Sequence, residues 1–172
     1  MSGQLSYSYQ TPKGVPGSLL DISPYSIDSR VNGETDPAKM KYGMGAVIGA
    51  NPGTDILVPT ATSVAENFEG VILTGFTNQM NMSGDVSIFP LQTVGILRWG
   101  RAWVRVASGV SPNYGDQLYL IITGTNTGMF TNNAGAGIEV PGTFIGGLGT
   151  GDIAPAVIYN QKSATPPEPV LP

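Results

Sequence analysis

The sequence predicts an all-β protein: a compact β-barrel or sandwich of short antiparallel strands, with an extended N-terminal arm and a proline-rich C-terminal tail. Glycine (24) and proline (14) are frequent among the 172 residues, and both disfavour long helices. Short apolar segments also recur at intervals of roughly ten residues with turn residues between them, as in barrels and sandwiches. Hydrophobic residues make up 41% of the chain, enough for a packed core.

Residues 1–38 are predicted to form the N-terminal arm. Residues 1–17 are mostly polar and contain two prolines, and residues 26–37 are rich in turn-forming pairs such as Asn32-Gly33. Between them lies a small apolar cluster that we expect to anchor the arm on a surface. This cluster consists of Leu19, Leu20 and Tyr25.

Residues 39–161 are predicted to form the β-barrel domain. Ser63 and Glu66 are spaced as in a capping box, which predicts one helical turn over residues 63–68. Residues 162–172 form the predicted tail, where four prolines favour an extended, polyproline-like chain. The predicted strands are residues 42–49, 56–58, 70–76, 85–89, 94–97, 102–106, 117–123, 143–145 and 156–159.

A Gly-Asp pair precedes an apolar segment three times, at Gly84-Asp85, Gly115-Asp116 and Gly151-Asp152. Glycine permits a positive φ, and the aspartate can accept hydrogen bonds from backbone amides in the turn. A shared metal site is the alternative, but carboxylates that recur beside turn glycines usually belong to the turns. We therefore interpret the three pairs as turns that begin strands.

The charged residues are few and unevenly placed. They make up 12% of the chain, about half of the roughly 25% typical of soluble domains. Only Asp116, Glu139 and Asp152 are charged between Val106 and Gln161. A surface without charge favours an interface, and an exterior of Ser, Thr, Asn and Gly is the alternative. The net charge of −4 disfavours direct binding to nucleic acid.

The sequence offers little catalytic chemistry. It contains no histidine and no cysteine, which removes the common nucleophile systems and the usual transition-metal ligands. Glu66 and Glu69 have a spacing that a glycosidase could use, but aromatic residues that would stack on a sugar lie elsewhere, and we interpret them as two solvated glutamates. We therefore expect no enzyme activity and no cofactor.

The N-terminal sequence lacks the basic start and the apolar run of a secretory signal peptide. No stretch has the roughly 18 consecutive apolar residues of a membrane span. We expect synthesis in a host cytoplasm and no membrane partner.

Residues 97–106 combine alternating arginine and tryptophan, the side chains that most often bind partners. In one strand the four residues at odd positions from 99 to 105 share a face, unless Gly100 forms a bulge that exchanges the faces on one side of it. The segment could be a protein interface, plain packing, or a ligand or nucleic-acid surface. The predicted interface residues are Arg98, Trp99, Arg101, Trp103, Arg105, Leu19, Leu20 and Tyr25.

The order of glycines and apolar strands in 65–73, 94–106, 115–119, 142–146 and 154–158 resembles the cement, or decoration, proteins of tailed double-stranded DNA phage capsids. The resemblance implies a β-barrel, usually trimeric, on the outer surface of the capsid. It also implies terminal arms that reach the major capsid protein or a neighbouring cement subunit.

The leading hypothesis is thus a structural virion protein that stabilises the shell by bridging major capsid protein subunits, with itself (as a homotrimer) and the major capsid protein as partners. The alternatives are another head or tail protein of such a particle, or a carbohydrate-binding β-module with Trp99 and Trp103 as stacking platforms.

Overall fold

The structure is a computed structural model and describes residues 14–75, 87–148 and 152–160. Within them the chain forms nine strands and two short 3-10 turns, so the all-β prediction is confirmed. The 3-10 turns are Ala65–Asn67 and Ala134–Ala136. The strands are β1 (Ser26–Asn32), β2 (Gly45–Ile48), β3 (Asp55–Leu57), β4 (Phe68–Ile72), β5 (Thr93–Arg105), β6 (Gln117–Leu120), β7 (Phe130–Thr131), β8 (Ile138–Phe144) and β9 (Ile153–Tyr159).

Five strands close into a small barrel. Strand β1 pairs with β3 on one side and with β5 on the other, and β2 and β4 complete the circuit between β3 and β5. Closure leaves no free edge among these strands. Side chains from these strands and from the loops that join them fill the interior, which we call the barrel core. Its residues are Met40, Tyr42, Met44, Ala46, Ile56, Val58, Ile72, Ile88, Val94 and Ile96.

The remaining strands continue from β5 in the order β9, β8, β6 and β7, all antiparallel to their neighbours. Phe130 of β7 then bridges to Val106, just beyond β5, so this half also returns to the shared strand. It encloses a second core, in which Phe68 and Phe130 meet edge to face with ring centroids 6.4 Å apart. Other members include Val71, Leu73, Leu97, Leu118, Leu120, Val140, Phe144 and Ile158.

Strand β5 belongs to both halves, and a bulge in its middle makes this possible. Trp99 pairs with Ser26 and Leu97 with Ile27, which leaves Arg98 without a partner in β1, and Gly100 has φ +136°. Leu97 and Ala102 both point into the second core although they are five positions apart. A regular strand would place them on opposite faces, so a bulge exchanges the faces here, at Arg98 beside the Gly100 that the alternative named.

Several local predictions need correction. Residues 94–97 and 102–106 were expected as two strands and form one, because β1, β4 and β9 together supply partners along nearly its whole length. The cap of the helical turn is Val64, while the hydroxyl of Ser63 accepts from Thr60 N at 2.9 Å. Residues 87–89 of the predicted strand 85–89 are not a strand, and the rest of it lies outside the described residues.

The sheet extends into the predicted N-terminal arm, since residues 26–32 form β1. Residues 1–13 of that arm and the tail 162–172 lie outside the described residues. The proposed division into arm, barrel and tail therefore stays a prediction.

Two buried asparagines join the strands at places where backbone pairing stops. The amide of Asn160 donates to the carbonyl oxygens of Phe68 and Glu69, both at 2.8 Å, and its backbone N–H donates to Arg98 O at 2.8 Å. Asn32 donates in the same way to Ile88 O and Phe89 O. These side chains supply the hydrogen bonds that buried carbonyls require.

The Gly-Asp pair at 115–116 is a turn, as predicted. Gly115 has φ +89°, and the Asp116 carboxylate accepts from Asn113 N at 2.8 Å and from the Asn132 amide at 2.7 Å. These bonds, the one from Asn113 first, hold the pKa of Asp116 below its ordinary value. The pairs at 84–85 and 151–152 lie wholly or partly outside the described residues.

Replacing Asn132 by Ala is expected to raise the pKa of Asp116 towards its ordinary value, because one bond to the carboxylate is lost. A lowered pKa means that the folded state binds protons less readily, so the stabilisation is present above the ordinary carboxyl pKa and is lost as the pH falls through the lowered one. Carboxyl ¹³C NMR titration measures the change. The exposed neighbour Asn133→Ala is the control, and an equal shift in both variants would contradict this assignment.

Candidate interaction surface

The alternating segment of β5 forms one surface together with β9. Trp99, Arg101, Trp103 and Arg105 share the partly exposed face of β5 as predicted, while the intervening Ala102 and Val104 are buried. Strand β9 adds the residues directly opposite, with Tyr159 beside Trp99 and Val157 beside Arg101. We call this combined surface the outer face.

Residues 17–20 pair with the edge of β5 opposite β9, and Gly14 before them covers one end of the outer face. Gly17 N donates to Trp103 O at 2.8 Å, and Trp103 N donates to Ser18 O at 2.9 Å. Leu20 N continues the pairing to Arg101 O at 3.0 Å. Gly14 lies against the Trp103 indole so closely that a Cβ there would overlap the ring. Trp103 is therefore half-buried beneath its own chain.

The apolar cluster of the predicted arm is divided by this arrangement. Leu19 bridges to Ala102 and packs against the second core, so it anchors residues 14–25 on their own sheet. Tyr25 remains 51% exposed. Between Leu19 and Tyr25, an ion pair of 3.0 Å from Arg101 to Asp21 holds the segment against β5, and both side chains are substantially exposed. Hydrogen bonds from Ser23, its side chain first, lower the pKa of Asp21.

The exposed end of the outer face contains a groove of about 250 Å³ beside Trp99. Tyr159 forms one wall and is 51% exposed. Gly100 lies at the base, where a Cβ would crowd the Cβ of Tyr25. We call this feature the aromatic groove. It is lined by Ser23, Pro24, Trp99, Gly100, Arg101, Val157 and Tyr159.

Arg98 does not contribute to the outer face, because the bulge directs it into a partly buried charge cluster. Its guanidinium lies 3.1 Å from Asp28 and 3.1 Å from Glu69. Arg30 contacts the same two carboxylates at 2.9 and 3.0 Å. Only 6% of the Glu69 side chain is exposed. The interpretation of Glu69 as a solvated glutamate is therefore wrong: as the second residue of β4 it lies between the two arginines.

Arg105 is also held within the fold. Its Nε donates to Tyr42 O at 2.9 Å, and it joins the end of β5 to the barrel. Burial lowers the pKa of its guanidinium. Trp99 and Arg101 are thus the predicted β5 residues that lie at the open end of the outer face. The interface role of all eight predicted residues stays a prediction.

A second cavity of about 380 Å³ lies between loops on another side of the molecule. Lys39 contributes to its wall and lies 3.3 Å from Glu34, and the apolar floor includes Met44, Val58 and Met129. Sequence reasoning missed this cavity because its walls come from loops far apart in the chain. A pattern of adjacent residues gives no sign of such a cavity.

The described part of the chain contains no group of three or more acidic side chains arranged to hold a metal ion. No helix in residues 14–75, 87–148 or 152–160 is long and apolar enough to cross a membrane.

Comparison with known proteins adds two findings. The family described as structural cement protein (E217 gp24/Pam3 gp6) matches residues 4–159. A solved structure described as the capsid of Myoviridae phage XM1 contains a chain of similar fold, with a TM-score of 0.66 and 18% sequence identity over 94% of this chain and 99% of that one. No curated protein matches.

Proposed function

This chain belongs to the structural cement proteins of phages, and from that premise we propose that it binds the outside of a phage capsid as a homotrimer and bridges major capsid protein subunits. Its family is one of structural proteins, and the chain is a component of the virion on the capsid. The bridging contacts, the trimer and the contact residues are the proposal.

The observation that best supports a contact role is the aromatic groove. Trp99, Arg101 and Tyr159 line the groove at the open end of the outer face, and the exposed Tyr25 lies beside Gly100 at its base. Tryptophan, tyrosine and arginine are the residues most often found at binding hot spots, because they bury a large area and still donate hydrogen bonds. Isolated exposed apolar residues need no explanation, but a group of aromatics around a groove favours a protein contact.

The scarcity of charge supports the same proposal. Within the described residues from 107 to 148, Asp116 and Glu139 are the charged side chains. Charged residues are depleted at the centre of protein interfaces because they must lose their hydration there. A surface of this kind can be buried against a neighbouring subunit at a small desolvation cost.

A protein that binds only the assembled shell stabilises it by mass action. Each copy that buries area across a boundary between subunits must be released before that boundary opens. An interface of standard size, roughly 1,600 Å², is sufficient for stable attachment. For this role the protein needs only a surface that is complementary in shape to its partner.

The test is attachment to capsids that lack this protein, measured by co-sedimentation. Trp99→Ala together with Tyr159→Ala is expected to weaken attachment about thirtyfold, the equivalent of one hot spot of about 2 kcal/mol. The heat resistance of the capsids should fall in parallel. Tyr114→Ala is the matched control, since Tyr114 is 81% exposed and lies outside the groove.

If the Trp99→Ala, Tyr159→Ala double variant attaches as tightly as the Tyr114→Ala control, the groove is not the capsid contact. Light scattering of the unbound protein tests the trimer separately, and a mass of one 17.9 kDa chain at all concentrations would exclude it. A protein that fails to attach in its unaltered form would contradict the proposed bridging itself.

A further inference from the structure

The aromatic groove has the chemistry of a site for proline-rich chain. Trp99 and Tyr159 stand opposite each other on paired strands, and Pro24 and Val157 add apolar walls. Grooves lined by aromatic side chains bind polyproline segments in several unrelated domains, because the rigid segment loses little entropy on binding. The volume of about 250 Å³ suits a few side chains of a bound segment.

The chain itself carries a segment that fits this site. Residues 163–172 read Ser-Ala-Thr-Pro-Pro-Glu-Pro-Val-Leu-Pro, and Glu168 is their only charge. That carboxylate is complementary to Arg101, the cation of the groove, whose present partner Asp21 is an exposed group in an ion pair of small energetic value. Both the apolar and the charged parts of the segment therefore have counterparts in the groove.

The direction of β9 indicates which copy supplies the segment. Tyr159 lines the groove, but Asn160 is buried and fixed to the start of β4 by its amide. The chain thus passes from β9 towards β4, while the groove extends back along Val157 and Tyr159. To reach the groove of its own copy, the chain would have to reverse its direction within the few residues between Asn160 and Pro166. At roughly 3.1 Å per residue, residues 161–172 would span about 37 Å, enough to reach a neighbour.

We propose that the aromatic groove binds the proline-rich segment 163–172 of a second copy of this chain. The inference rests on the self-association in the proposed function and deepens it, since it assigns one contact between copies. If it holds, the loss of capsid attachment expected for the groove variants would act through this contact between copies.

The first experiment uses an acceptor, the full chain with Trp103→Phe and with Pro166, Pro167 and Pro169 replaced by Ser. Trp99 is then the only tryptophan, since the chain has two, and the altered tail does not compete. A synthetic peptide of residues 163–172 is expected to change the Trp99 fluorescence saturably. The same peptide with its prolines replaced by Ser should not, and Tyr159→Ala in the acceptor should weaken binding about tenfold.

The second experiment uses a donor, the full chain with Trp99→Phe and Trp103→Phe and an intact tail. Because the donor has no tryptophan, mixing it with the acceptor reports on the acceptor's Trp99 alone. We expect the donor to protect Trp99 from acrylamide quenching, and a donor with the three proline substitutions to give no protection. Thermal unfolding of each variant checks that it is folded.

Binding of the peptide without protection by the donor would mean that the tail docks on its own chain, and would overturn the second copy as the source. No response to either would overturn the groove as a proline site. Co-sedimentation of the acceptor with capsids separates these failures from the proposed function: an acceptor that attaches normally but does not bind the peptide leaves capsid attachment intact and removes only this inference.

Discussion

Replacing Glu69 by Ala is expected to lower the free energy of unfolding by about 3–5 kcal/mol, the usual cost of leaving a buried charge without its partner. Glu69 is nearly inaccessible and lies between Arg30 and Arg98, 3.0 and 3.1 Å from their guanidinium nitrogens. Asp28 would remain, but it is one-third exposed and would face two cations. Urea unfolding of the purified protein measures the change.

The matched control is Asp21→Ala, which removes a carboxylate from the exposed ion pair with Arg101. Exposed pairs contribute about 0–1 kcal/mol, because water and salt screen them. Glu69→Gln keeps the size of the side chain and removes its charge, so it should fall between the two. If Glu69→Ala and Asp21→Ala lower the stability equally, the charge cluster does not stabilise the junction of β1, β4 and β5.

Asn160→Ala is expected to cost about 3 kcal/mol, because the carbonyls of Phe68 and Glu69 would both lose their donor in a buried place. Asn160→Leu separates this effect from the loss of volume. Leucine fills the space and offers no donor, so it should be about as destabilising as alanine. The same urea measurement applies.

Asn133→Ala serves as the control, since Asn133 is exposed and its side chain accepts one local bond from Gly135 N at 3.0 Å. A loss of about 0.5 kcal/mol is expected there. Recovery of stability in Asn160→Leu would show that packing, and not the two hydrogen bonds, is what Asn160 supplies.

The sequence predicted the fold class and the positions of most strands, because short apolar runs between turn residues depend on local chemistry alone. It did not predict β1. The residues of that strand, Ser-Ile-Asp-Ser-Arg-Val-Asn, include two charges, and their burial makes sense only when Glu69 and Arg98 are placed beside them. Those partners are distant in the sequence, so the pattern of neighbouring residues cannot predict them.

The candidate surface was predicted in part. The alternation of tryptophan and arginine correctly placed Trp99, Arg101, Trp103 and Arg105 on one face of β5. It could not show that Gly14 lies over the Trp103 indole. That contact removes the pair of open tryptophans that the carbohydrate-binding alternative requires. Arg98 illustrates the other limit, because a bulge of one residue decides whether a side chain faces solvent or the charge cluster.

The shared strand β5 also constrains the order in which the protein can fold. Arg98 meets Asp28, which lies 70 positions earlier in the chain, so the barrel cannot close until most of the polypeptide has been made. The second half waits longer, since β5 needs β9 as its other neighbour. Contacts this distant in sequence slow folding, because the loops between them must be closed first. During synthesis the early strands therefore remain without partners until β5 has been made, and the second half is completed only when β9 follows.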